Sequence, residues 1–474
     1  MPRPPHHPAL HRLAVLTTVA TFPLIFLGGL VTSHGAGLSV PDWPNSYGYN
    51  MFTFPPSQWV GGILYEHTHR LLGTIVGLGA TLMAMVAWGL GREREARKLL
   101  WVTGGLCLFL AGAGAATPTN IARLLAMLPA YAAFVLIGST FCRRPEPRRW
   151  VRWLAMAVLG AVIVQGVLGG LRVVLIDLNL AVVHGCLAQA VFCLTALVVV
   201  ATSSWWERTT VEPPQVDQAD ARRLVALATA GVVVVYAQLV VGALMRHYRA
   251  GLAVPDLPLA YGKVLPPADA TALAAANQVR AWDYHLEPVS LGQVWLHFGH
   301  RIGAIAVTVV LAGLIVHAIR RHRGHAGNAW GLCGALVAVI GALVGLGAAH
   351  AVGSTRGIVP GAACFAVAAG CGYVAWTLLN RLRTATDMVR PAVMLAALLV
   401  VQVALGVLTV AYRKPADVAS AHVAVGALVL VTTFVMAARA VRVYRLTSTA
   451  AVASAVRERA GFPGRDVPTV ARVA

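Results

Sequence analysis

The sequence predicts an all-α polytopic membrane protein: two parallel, pseudo-symmetric helical-bundle repeats with about twelve transmembrane helices. Three observations predict it. Of 474 residues, 58% are hydrophobic and 12% charged, too little polarity to cover a soluble globule of this size. The apolar residues fall in runs long enough to cross a bilayer, separated by short basic clusters. The second half of the chain repeats landmarks of the first.

Taken in order, the candidate spans of the first half are 11–32, 61–89, 99–116, 121–141, 151–171 and 180–202, each near the roughly 20 residues that a crossing needs. Those of the second half are 223–245, 291–317, 329–350, 357–379, 391–411 and 419–438. The third and fourth of each set are rich in Gly and Ala and read equally well as one broken hairpin. The first run is preceded by MPRPPHHPALHR and followed by no small-residue cleavage site, so it is expected to be retained as a helix. Seven cysteines lie in or beside apolar runs without metal-ligand spacing and read as small buried hydrophobes.

The repeat is visible in GLSVPDWPNSYG at 37–48 and GLAVPDLPLAYG at 251–262, an offset of 214. His69 and His300 are offset by 231, and His184 and His422 by 238. Offsets that only grow along the chain are those of a duplication with loop insertions, and the longer loop after Lys263 absorbs the first. An even number of helices per unit gives both copies the same orientation, related by an axis along the membrane normal. The expected organisation is an N-terminal repeat at 1–204, a linker at 205–221, a C-terminal repeat at 222–445 and a loosely ordered tail at 446–474. Residues 32–59 contain no Lys or Arg, whereas GREREARK after the second span is basic. The two VPD loops are therefore expected outside, and the linker, tail and both termini in the cytoplasm. A formal charge of +20 then marks inner loops rather than a nucleic-acid partner, since no base-reading module accompanies it.

Chemistry concentrates in GGILYEHTHR at 61–70 and in WLHFGHR at 295–301. Glu66 and His69 are three apart and share a helix face, while His67 points elsewhere. In the second copy His297 stands where Glu66 stood, and His300 where His69 stood. His69 and His300 lie roughly 12 to 15 Å below the outer helix start, and His184 and His422 somewhat shallower. His69 with His184, and His300 with His422, provide two imidazoles per half at comparable depth on different helices. Opposed neutral imidazoles in an apolar slot suit the two faces of a haem iron, whereas zinc or copper wants three or four ligands close together. Arg70 and Arg301, each directly after its histidine, are placed to meet haem propionates. Blander readings exist for each: an intramembrane His as an interhelical hydrogen-bonder, the arginines reaching for headgroups, and Glu66 as a structural partner of Arg70. His34, His247 and His285 fall in outer loops, and Gly28-Gly29 and Gly169-Gly170 read as helix-packing surfaces.

With GLSVPDWP, the E-H-T-H-R run and the later H-x-x-H-R and A-H-V residues in hand, the chain resembles the haem A synthase family from about Gly28 to Val443. The resemblance implies a membrane enzyme that oxidises the C8 methyl of haem O to the formyl group of haem A, by two hydroxylations and loss of water. It implies His69 and His184 on the substrate haem, with Arg70 beside them, and His300 and His422 as ligands of a haem b cofactor, with Arg301 beside them. Glu66 matches the family's catalytic carboxylate. Implied partners are the lipid bilayer, haem O synthase, an electron-transfer protein and a second copy of the chain, in a bacterial-type inner membrane. The family usually has eight helices, so the extra segments add a hairpin to each half, and a cysteine pair that some members carry in the first outer loop is missing here. Two other functions use the same features: a dihaem electron-transfer or haem-handling protein, and a transporter of parallel repeats.

Overall fold

The structure is a computed structural model, and it describes residues 7–89, 145–211, 217–320 and 388–459. The helices are α1 (Pro8–Ser33), α2 (Gly62–Trp88), α3 (Arg149–Val174), α4 (Leu178–Ala201), α5 (Ser204–Val211), α6 (Gln218–His247), α7 (Ala270–Trp282), α8 (Leu291–Arg320), α9 (Val389–Ala411) and α10 (Ala416–Arg459). Among the described residues eight of these are long and apolar enough to cross a membrane, all but α5 and α7. They coincide with eight of the twelve expected spans. The other four, at 99–116, 121–141, 329–350 and 357–379, lie outside the described residues.

Local signals explain the helix ends. Pro8 opens α1 where its missing N–H costs nothing, and Asp177, Asp217 and Asp269 cap α4, α6 and α7 by accepting backbone N–H groups. Gly89 closes α2 in the left-handed conformation that glycine adopts freely (φ 59°).

The spans form two four-helix rings. In the first, α1 packs on α2, α2 on α3, α3 on α4 and α4 on α1; in the second, α6 packs on α8, α8 on α9, α9 on α10 and α10 on α6. The rings meet through α1, α4, α6 and α10. Each is packed solid at the end away from the VPD loops. Leu10, Met83, Val151 and Val198 fill the first, and Leu224, Leu314, Ile319, Val393 and Met436 the second. The opposite ends are hollow, because there the helices present histidines and glycines instead of large aliphatics.

The VPD loops cover those hollow ends with one recurring set of hydrogen bonds. The Asp42 carboxylate accepts from the Tyr47 and Gly48 N–H groups at 2.7 and 2.8 Å, and Asp256 does the same for Tyr261 and Gly262 at 2.8 and 2.9 Å. The Tyr47 hydroxyl donates to the Ser39 carbonyl, and the Tyr261 hydroxyl to that of Ala253. Trp43 then lies against α3, where a Cβ on Gly170 would come within 2.3 Å of the indole. Gly170→Ala is accordingly expected to destabilise the protein by about 1 to 3 kcal/mol, since a rigid ring must move. Thermal unfolding of the detergent-solubilised chain checks it, and an unchanged melting temperature would show that this contact is slack.

Three segments outside the expected spans carry helix. The loop after Lys263 contains α7, whose Arg280 is 3% exposed and donates to the Leu252, Ala253 and Glu287 carbonyls; that stretch folds back under the second VPD loop. The linker carries α5, and Trp205 is buried against Val200 and Val443. The tail expected to be loose after Leu446 instead continues α10 to Arg459.

Candidate functional site

Glu66 and His297 show how the two rings use one loop differently. Glu66, 4% exposed, accepts the Val40 N–H on Oε2 at 2.9 Å and pairs with Arg70 through Oε1 at 3.0 Å. At the matching place in the second ring, the Val254 N–H points at His297 Nδ1 at 3.3 Å, which also lies 3.0 Å from the Ala250 carbonyl. The same backbone donor thus meets a carboxylate in one ring and an imidazole in the other. The ion pair foreseen for Glu66 and Arg70 is present.

Arg70 donates to the carbonyls of Val40, Asp42 and Asn45 at 2.6 to 2.9 Å. Arg301 donates to those of Val254, Asp256 and Leu259 at 2.7 to 2.9 Å. Both guanidiniums therefore hold the VPD loops by backbone carbonyls, a role that the H-R dipeptide alone does not reveal. His67, one position from the site face, is buried under the first loop, 3.1 Å from Ser46 Oγ and packed on Phe54 and Trp59.

The four site histidines are seated on glycines. A Cβ at Gly28 would lie 3.1 Å from the His69 ring, at Gly169 2.9 Å from His184, at Gly242 3.2 Å from His300 and at Gly406 3.1 Å from His422. Gly28 and Gly169, expected to pack helix on helix, pack helix on imidazole, whereas the neighbouring Gly29 does pack α1 against α10 at Ser420. Glutamines orient three of the rings. His184 Nδ1 is 3.1 Å from the Gln165 carbonyl, and His422 Nδ1 is 3.1 Å from that of Gln402. The Gln238 amide lies 3.1 Å from His300 Nδ1 and donates to the His300 carbonyl at 2.7 Å. At His184 and His422 an Nδ1–H held by a carbonyl leaves the lone pair on Nε2, the tautomer that a metal needs, and the Gln402 amide lies 3.3 Å from Nε2 of His422. Gly406→Val is expected to displace the His422 ring and cut haem retention by about tenfold or more, because the extra methyls have no room. Haem per protein in the purified variant measures this, and a wild-type ratio would mean that the ring does not depend on its seat.

All four rings border one cavity of about 1010 Å³. The centroids of His300 and His422 are 6.4 Å apart, with ring planes at 67°. Two metal–nitrogen bonds of about 2 Å, with about 1 Å more from each nitrogen to its ring centre, require about 6 Å. That spacing and the apolar walls fit a haem held by two imidazoles. No group of three or more His, Cys, Asp or Glu that would hold a bare metal ion occurs among the described residues.

Cations ring the outer part of the cavity: Arg172, Arg246 and Lys414 line it together with Arg70 and Arg301. Arg172 donates to the Gly37 carbonyl at 2.8 Å, and Arg246 crosses between the rings to the Gly29 carbonyl and Ser33 Oγ. Burial lowers the pKa of the Lys414 ammonium, with Arg246 and Arg249 adding to the effect, so an anion here would relieve a standing repulsion. Sequence reasoning missed these three, as well as Gln165, Gln238 and Gln402. His247 was placed in an outer loop; it is the last residue of α6 and lines the cavity. The glutamines Gln165 and Gln402 recur nearly at the histidine offset and were legible; Arg172 and Arg246 have no counterparts and were not.

Paired imidazoles at one end of two helical rings, over a cavity rimmed by cations, define an integral membrane protein with a histidine-lined apolar chamber. The chain belongs to the family described as Cytochrome oxidase assembly protein (COX15-CtaA), whose profile matches residues 118–355, half of its length. A relative, Heme A synthase from Shouchella clausii (strain KSM-K16), is 34% identical over 113 residues, covering 23% of this chain and 36% of the relative. The chain thus matches about a third of that protein's length.

Proposed function

We propose that the chain is a haem A synthase, oxidising the C8 methyl of haem O to a formyl group. The observation that carries this reading is the pair of unequal pockets. Four glycine-seated imidazoles surround one cavity, and a carboxylate stands one turn from only one of them. His69 and His184 of the first ring would hold the substrate, and His300 and His422 of the second would hold haem b. When bound, haem b supplies one-electron redox chemistry. The protein's own side chains do the rest. Arg172, Arg246 and Lys414 neutralise propionates at the outer edge. The Gln165 and Gln402 carbonyls fix the tautomers of His184 and His422, and the VPD loops exclude water.

The C8 methyl sits on the same pyrrole as one propionate, so propionates held at the outer cations would bring that methyl to the outer side of the iron, where Glu66 lies relative to His69. From there the Glu66 carboxylate takes a proton as the methyl carbon is oxidised, or stabilises positive charge that develops on it. Its bonds to Val40 N–H and Arg70 hold it in place for this. The neighbouring rings and their shared cavity support the further reading of two related halves, 1–204 and 222–445, in one orientation. They are joined by a linker at 205–221 and followed by a tail at 446–474, with termini in the cytoplasm of a bacterial-type inner membrane. About twelve helices in all, contact with haem O synthase and an electron-transfer protein, and self-association complete the proposal.

The test is direct. The purified protein is expected to carry b-type haem and, with a haem O source, to yield haem A on chromatography of extracted pigments. Haem without any haem A would leave a dihaem electron-transfer protein, and no haem at all would leave the transporter reading.

A further inference from the structure

The cavity has different depths under the two histidine pairs. In the first ring its lining continues inward to Thr21 on α1, Thr81 on α2, Leu159 on α3 and Gln189 on α4. Thr81 lies about 18 Å further along α2 than His69, at 1.5 Å per residue. In the second ring, among the described residues, the lining ends at Tyr236 on α6, Thr308 on α8, Leu399 on α9 and Val423 on α10, so that it reaches about 12 Å past His300 along α8.

The walls differ in the same sense. Gly73, Gly77 and Gly166 line the first pocket, and a Cβ added at any of them would meet no atom within 4 Å. In register with His300 and Gln402, those places hold Ala304, Thr308 and Val403, which line the second pocket. A polar group marks the deep end. Gln189 lines the cavity, is 6% exposed, and its Oε1 has no hydrogen-bond partner. A buried amide oxygen left unpaired is destabilising, so it calls for a ligand that donates. In register with His422 the second ring has Ala427 there.

We propose that this inward extension is the binding site for the isoprenoid tail of the substrate, with Gln189 accepting a hydrogen bond from the hydroxyl at the root of that tail. The inference rests on the haem O reading above. Haem O differs from haem b in carrying a hydroxyethylfarnesyl chain in place of a vinyl group, on the side of the macrocycle away from the propionates. With the propionates at the outer cations, that chain points inward. Gln189 lies about 7 Å inward of His184 along α4, near the rim of a macrocycle centred between the imidazoles. The glycine wall then takes the farnesyl carbons. Ala304, Thr308 and Val403 close the same path in the second ring, which explains how one chain keeps a tailed and a tailless haem in separate pockets.

The experiment compares haem O with haem b as ligands of the first ring. Full-length wild type, Gly77→Val and Gln189→Leu are titrated with each haem, and the signal of a His69→Ala control is subtracted. Wild type is expected to bind haem O about tenfold or more tighter than haem b. Gly77→Val should lower haem O affinity by about tenfold or more by filling the groove, and Gln189→Leu by about fivefold, both leaving haem b affinity unchanged. Retention of b-type haem in the second ring reports that each variant is folded; if Gly77→Val loses it, Gln189→Leu decides. Variants that keep the wild-type preference for haem O overturn the tail site, and if wild type still makes haem A, they overturn nothing else. A wild type that makes no haem A and binds both haems alike overturns the substrate reading together with the tail site.

Discussion

Glu66→His protein is expected to fold, retain b-type haem and make at least about a hundredfold less haem A than wild type, the usual scale for loss of a group that moves a proton in the rate-limiting step. Histidine is the informative replacement because the second ring already uses it. His297 meets the Val254 N–H as Glu66 meets that of Val40, so the loop keeps a partner for its backbone donor while the carboxylate is lost. Glu66→Gln is the companion variant. It preserves shape but turns one amide N–H₂ toward either the Val40 N–H or the Arg70 guanidinium, both donors, so some loop destabilisation should accompany its loss of activity. Haem A and haem O extracted from cells expressing each variant are separated by chromatography. Undiminished haem A from Glu66→His would falsify the catalytic assignment and leave Glu66 as the loop's ion-pair partner.

The second large effect concerns the other ring. On the proposed ligation, His422→Ala should lose most of its b-type haem on purification, because the remaining imidazole at His300, 6.4 Å away by ring centroid, would offer one bond in place of two. His184→Ala should keep that haem and lose affinity for added haem O instead. Reduced-minus-oxidised spectra and haem per protein separate the two outcomes. If His422→Ala purifies with its full complement of b-type haem while His184→Ala does not, the pockets are assigned the wrong way round. If both keep it, the imidazoles are not axial ligands.

Much of this was legible in the chain because helical membrane proteins write their architecture in local composition. Bilayer thickness imposes span length, and eight of the expected spans appear with boundaries within a few residues, apart from the longer α10. The histidines were legible because intramembrane polar groups are rare enough for their spacing to carry information. Arg70 and Arg301 were legible as important but not as loop anchors. A guanidinium beside a histidine suits a propionate and a cluster of backbone carbonyls equally well, and only the path of the loop decides between them. Arg280 was hidden more deeply, since it sits in a stretch read as an insertion and acts on carbonyls about 28 residues earlier in the chain.

The sequence by itself determined that the protein lives in a membrane, that its described spans are α-helices, that four histidines fall in matched pairs and that an acid accompanies one pair alone. Those follow from span length, offsets and residue type, which need no coordinates. Only the tertiary structure decided that the helices close into two neighbouring rings, that glycines seat the imidazoles, and that the cavity deepens under the first pair. Each of these depends on atoms from helices far apart in the chain coming within a few ångströms of each other, and no local pattern encodes such a distance.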